Sequence, residues 1–142
     1  MNNTIKIELS DDQRDRLHQV ACELDMTPED TTAALIEEWL RMREFHGIHF
    51  RDTGIRETGI RRQAFVPGVR VPVYFLAELA REVDDDIDTI AEHYSIPRSA
   101  VMTSLAYIRA FPEEIERNIA EHEEAEERLL ASLPPSQVVT IP

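Results

Sequence analysis

Six residues near the start limit what this chain can fold into more than any others. From Thr4 to Leu9 polar and apolar side chains alternate, with Ile5, Ile7 and Leu9 on one face and Thr4, Lys6 and Glu8 on the other. That is the pattern of a β-strand with one buried side. Ser10 follows as a helix N-cap, with Asp11 and Asp12 in the first turn. Leu17, Val20, Ala21 and Leu24 fall at i, i+3, i+4 and i+7, so residues 11–25 form an amphipathic helix. Thr27 caps a second helix and Pro28 opens it. Its apolar face is Leu35, Ile36, Trp39, Leu40 and Met42, and it ends near Gly47. One strand and two short helices enclose too little core to fold alone. A lone strand also leaves backbone groups without partners. A second copy answers both needs: the two strands pair antiparallel and four helices cover their inner face.

This order of elements over residues 3–46 resembles the ribbon-helix-helix family of DNA-binding repressors and antitoxins. The resemblance implies that the outward strand residues, Thr4, Lys6 and Glu8, read base edges, and that the start of the second helix holds phosphate. The chain departs from the family at that helix start, where Glu29 and Asp30 would repel a phosphate. Two readings of the strand therefore stand side by side, a dimerisation element alone or a base reader as well.

The second constraint lies between Asp88 and Val101. Ala91 is small where two crossing helices approach, Ser95 sits at the turn, and Val101 returns to the interior. Ile90, Tyr94, Ile96 and Leu105 form the apolar side. This is helix-turn-helix spacing, and the second helix of such a pair can lie in the major groove of DNA. Arg98, Ser99, Met102 and Thr103 then occupy its exposed N-terminal face. Arg98 could grip guanine with two hydrogen bonds, worth about 1–3 kcal/mol of discrimination.

Between these halves, Asp52-Thr53-Gly54-Ile55-Arg56 is echoed by Glu57-Thr58-Gly59-Ile60-Arg61, which suits a tight hairpin or irregular ribbon. Val66-Pro67-Gly68-Val69 is a turn that leads into a strand, and Pro72 opens a helix from Val73 to Arg81. After Phe111-Pro112 a charged helix runs over 113–131, with a thin stripe of Ile115, Ile119 and Leu130. Pro134-Pro135 ends it, and Ser136 to Pro142 is an apolar tail able to add a strand to a partner. The expected parts are thus 1–47, a ribbon-helix-helix unit; 48–72, a linker and β segment; 73–112, a helix-turn-helix domain; and 113–142, an acidic helix and tail. The fold class is mainly α.

The passage from Gly59 to Glu114 resembles a small prokaryotic antitoxin-like winged-helix family long catalogued as a domain of unknown function. The matching residues are Val66-Pro67-Gly68-Val69-Arg70-Val71-Pro72-Val73, Asp88 to Tyr94, Ala100 to Tyr107, and Phe111-Pro112-Glu113-Glu114-Ile115. Val69 stands where the family usually has threonine. The resemblance implies a dimeric helix-turn-helix protein, often encoded beside a PIN-like nuclease. With a ribbon-helix-helix in front, the chain resembles an antitoxin of the VapB kind.

Charge sets the limits on partners. The net charge is −13, whereas phosphate contacts supply most of a DNA binder's affinity. Residues 51–72 are the one basic stretch, with five arginines against Asp52 and Glu57. Arg51, Arg56, Arg61, Arg62 and Arg70 grip phosphates or pair with acidic helices. No run has the ~18 apolar residues of a membrane span, and the polar N-terminus lacks a signal-peptide core. A cytoplasmic protein without membrane contact is expected. Cys22 is the only cysteine and falls in an apolar helical pattern, as a small core hydrophobe would. His46 and His49 make half a metal site, and the Asp84-Asp85-Asp86 run lacks the glycine and closing glutamate of a calcium loop. No phosphate loop, nucleophile elbow or zinc helix is present, so no enzyme and no cofactor are expected.

The expectation is a homodimeric antitoxin and transcriptional autoregulator that binds its operator DNA and neutralises a PIN-like nuclease toxin. The competing expectation is an acidic protein-binding adaptor that uses DNA-binding folds only as dimerisation scaffolds.

Overall fold

A computed structural model describes residues 3–56 and 59–134. Its elements are α1 (Asp11–Glu23), α2 (Pro28–Glu44), β1 (His49–Arg56), β2 (Gly59–Phe65), α3 (Val73–Glu82), α4 (Ile87–Tyr94), α5 (Arg98–Ala110) and α6 (Pro112–Ser132). The chain is mainly helical, with one small antiparallel sheet of β1 and β2. It divides into two compact units, Met1–Glu44 with His49–Ala64 and Phe45–Ile48 with Phe65–Pro142. The boundary thus crosses the expected 48–72 segment, whose hairpin goes with the first unit and whose turn at Val66–Val69 goes with the second.

The first unit begins with a closed capping box. The Gln13 amide donates to Ser10 Oγ at 3.1 Å, and the Ser10 amide donates to Gln13 Oε1 at 3.0 Å. Asp25, in the left-handed region at φ 53°, lets the chain reverse between α1 and α2. Thr27 Oγ1 then accepts from the Asp30 amide at 3.1 Å, which caps α2. Ala21 and Thr31 are the buried side chains of this helix pair. The segment expected as a strand over 4–9 has no strand assignment, because a single chain offers it no ladder partner. Arg62 ties the hairpin to α2: its Nη2 and Nε donate to Glu38 Oε1 at 2.8 and 3.1 Å, and its Nη1 to Asp52 Oδ1 at 3.0 Å. The pentapeptide echo falls largely on β1 and β2, and Glu57 and Thr58 lie outside the described residues.

The second unit has a closed core. Val66, Leu76, Ile90, Val101 and Tyr107 are each 0% exposed. Tyr107 stacks edge-on against Phe45, with ring centroids 5.4 Å apart, and its hydroxyl donates to Glu114 Oε2 at 2.6 Å. Gly47, at φ +92°, must be glycine, since an added Cβ would lie 2.8 Å from Pro67 Cβ. The turn Val66–Val69 closes as the Val66 amide donates to the Val71 carbonyl at 2.9 Å. Pro112 restarts the helix after Phe111, as the missing N–H costs nothing at a first turn.

The helix α6 belongs to the second unit, where Ile115 and Ile119 are buried and it packs on α3. Ile115 and Ile119 seat the first half of the helix, together with His122 against the Tyr74 and Phe75 rings and Glu116 paired with Arg81. From Glu123 to Ser132 every residue of α6 is exposed. The tail Ser136–Pro142 lies outside the described residues.

Candidate nucleic-acid interface

The corner between α4 and α5 is built by its caps. Asp86 opens α4, accepting from the Asp88 amide at 3.2 Å and from Thr89 Oγ1 at 3.0 Å. Ser95 ends it in the left-handed conformation, φ 54° and ψ 49°. The Ile96 amide then donates back to the Ala91 carbonyl at 3.0 Å, as in a helix-ending turn of the Schellman type. Pro97, extended at φ −63° and ψ 152°, aims the chain into α5. Ile90, Ile96, Ala100, Val101 and Leu105 are buried and lock the pair together.

That packing leaves the opposite side of the start of α5 in solvent. Arg98, Ser99 and Met102 are exposed and Thr103 is half-buried, so these four expected site residues share one helix. Ser104, one residue further, is buried and donates to the Ala100 carbonyl at 2.8 Å. Arg98 Nη1 donates to Asp88 Oδ1 across the corner. The helix from Arg98 to Ala110 contains no acidic residue, in a chain that carries 28. This local exception is visible in the sequence, but the net charge of the whole chain conceals it.

Tyr94, at the end of α4, has its hydroxyl pKa raised, first by burial and then by the nearby charges of Glu78 and Glu82. It remains protonated and neutral across the physiological range.

The other expected site residues fall elsewhere. Arg70 is exposed, just beyond the turn at Val66–Val69. Thr4, Lys6 and Glu8 are exposed in the first unit, on the unpaired N-terminal segment. Arg61 and Arg62 lie on β2 in the same unit. Arg62 is already held by two carboxylates. Burial alone would lower its pKa, but its hydrogen bonds to Glu38 and Asp52 outweigh that and raise it. The side chain of Arg56 lies outside the described residues.

The first unit carries a second feature, an open apolar groove lined by Ile5, Ile7, Leu9, Leu17, Ile36 and Trp39. Ile5 is 82% exposed and Trp39 57%. Arg43 covers one face of Trp39, its guanidinium carbon 5.6 Å from the ring centroid. Cys22, expected in a core, is exposed. Its neighbour Ala21 takes the buried position on α1 instead. Among the described residues, no three His, Cys, Asp or Glu groups come together to hold a metal ion. No helix among them is long and apolar enough to cross a membrane. No family model, curated protein or solved structure matches this chain.

Proposed function

We propose that the chain is a homodimeric, cytoplasmic DNA-binding regulator of the antitoxin kind, in which α4 and α5 act as a helix-turn-helix and residues 4–44 as a ribbon-helix-helix. The observation that carries the reading is the α4–α5 corner. Its second helix exposes Arg98, Ser99 and Met102 at its start and is free of acidic residues in a chain of net charge −13, which supports approach to a phosphate backbone, with Arg98 and Arg109 paired to Asp88 and Asp85.

The groove of the first unit supports the dimer. Two copies pairing through residues 4–9 would bury Ile5, Ile7 and Leu9 and give the strand backbone its ladder. Thr4, Lys6 and Glu8 would then line the outer face of the ribbon. The exposed half of α6 supports a protein partner. Glu123, Glu124, Glu126 and Glu127 lie there beside Leu129 and Leu130, which are 59% and 49% exposed. An acidic helix with an apolar end suits a basic nuclease of the PIN-like kind.

A mobility-shift titration tests the reading, using the wild-type chain and the duplex immediately upstream of its own reading frame. A shift that competitor DNA of random sequence does not remove is the expected result. Arg98→Ala should lose about 1–3 kcal/mol of discrimination. Absence of any shift at low salt would favour the adaptor reading, which draws on the net charge of −13. Co-expression with a neighbouring nuclease then tests the partner: charge reversal at Glu123, Glu124, Glu126 and Glu127 should abolish rescue of growth.

A further inference from the structure

We infer that Asp88 is a positioning residue that sets Arg98 to select guanine. The inference rests on the DNA-binding reading of the α4–α5 corner. The guanidinium is a planar fork of five donors. Asp88 Oδ1 accepts from Nη1, which leaves the Nη2 and Nε edge without a partner among the described residues. The Arg98 and Asp88 side chains are 58% and 76% exposed, so that edge is open to a groove.

Asp88 is itself held in place. It lies in the first turn of α4, where the helix dipole favours a carboxylate, and its amide donates to Asp86 Oδ1 at 3.2 Å. Arg98 is the first residue of α5. The ion pair therefore links two helix starts whose relative position the buried Ile90 and Val101 fix within the unit.

The remaining edge presents two nearly parallel N–H groups. In the major groove guanine alone offers two adjacent acceptors, O6 and N7. Adenine places a donor beside its acceptor, thymine a methyl group, and cytosine a donor. An unrestrained arginine would swing to any phosphate and lose rotamer freedom on reading a base. Asp88 opposes the first option by holding Nη1 and reduces the second by orienting the fork beforehand. Its negative charge also repels phosphate, so it lowers affinity for all DNA while it raises the preference for one base. A carboxylate on a DNA-facing corner is a burden for affinity alone and an advantage for selection.

The two effects move in opposite directions, and this makes them testable. The full chain is incubated with a duplex pool randomised over the protected length, and the bound fraction is sequenced for wild type, Asp88→Asn, Arg98→Ala and Arg98→Lys. Affinity for a single random-sequence duplex is measured beside it. Wild type should enrich guanine at one position per half-site by about fivefold or more. Asp88→Asn should bind the random duplex more tightly than wild type yet lose most of that enrichment. Arg98→Lys should keep random-duplex affinity and lose the enrichment, because an ammonium is a single point charge. Equal melting temperatures for wild type and Asp88→Asn establish that the fold is unchanged. Guanine enrichment that survives in Asp88→Asn would overturn the inference and leave DNA binding standing, with the pair acting only as a mask. Failure of wild type to retain any duplex would instead overturn the DNA-binding reading and this inference with it.

Discussion

The two units solve the same problem differently. The second unit buries Leu76, Ile90, Val101 and Tyr107 completely within one chain. The first leaves Ile5, Ile7, Ile36, Trp39 and Leu40 each 46% exposed or more, and the helix pair α1–α2 buries only Ala21 and Thr31. Both have amphipathic helices and a side-chain cap, Ser10 on α1 and Asp86 on α4, so local structure does not separate them. What separates them is where the apolar faces point. Four helices can close around one another, whereas two helices and a segment with no ladder partner cannot. An exposed apolar face of this kind marks a surface built to be covered. The second unit is complete as a fold. On the dimer reading proposed above, the first is half of one.

The sharpest way to break the comparison is to remove what closes the second unit. Truncation after Phe111 takes away Ile115 and Ile119, which are 1% and 6% exposed, and the carboxylate that Tyr107 bonds. Losing two such side chains, at about 2–5 kcal/mol each, approaches the whole stability of a domain. The expected outcome is loss of the cooperative thermal transition of the second unit, read by near-ultraviolet circular dichroism. Truncation after His122 keeps Ile115, Ile119 and the contacts of His122 with Tyr74 and Phe75, and should leave that transition within a few degrees of wild type.

A smaller effect is expected within the first unit. Arg62→Ala leaves the Glu38 carboxylate, whose side chain is 14% exposed, without the guanidinium that satisfies it. A loss of about 1–3 kcal/mol is expected. Faster hydrogen exchange at β1 and β2 amides checks it, with α3 and α5 amides unchanged.

The smallest effect is a pH dependence confined to the second unit. The Tyr94 hydroxyl pKa is raised in the folded chain above its ordinary value of 10.0, by burial first and then by Glu78 and Glu82. The folded state therefore holds this proton more tightly than the unfolded state does. Its contribution is fully present below the unfolded pKa of about 10 and is lost as pH rises through the folded value. Denaturant melts above pH 10 should show stability falling with pH, and Tyr94→Phe should flatten that slope. An unchanged slope in the variant would remove Tyr94 as the cause.

Much of the architecture is legible in local chemistry. Ser10, Thr27, Pro28 and Pro112 announce helix starts, and the helices begin at or beside them. The i, i+4 spacing of Val101 and Leu105, with Ile90 on the preceding helix, marks the side that becomes core. Arg62 reads from sequence as a phosphate ligand or an ion-pair partner, and only the fold brings Glu38, 24 residues away, against it. The same limit applies to Arg98. Its exposure follows from helical periodicity, but its partner Asp88 depends on how α4 and α5 cross.

Sedimentation equilibrium of the full chain at micromolar concentration tests the contrast between the units most directly, with Trp39→Ala measured beside wild type. Trp39 is 57% exposed in the single chain, and truncation of a surface residue changes monomer stability little. Buried between two copies it would be an anchor worth about 2 kcal/mol or more, so its loss should raise the dissociation constant by roughly thirtyfold or more. The account predicts a wild-type mass of twice the chain and a Trp39→Ala sample shifted toward monomer. A folded wild-type monomer, its α1 and α2 amides protected from exchange, would contradict it.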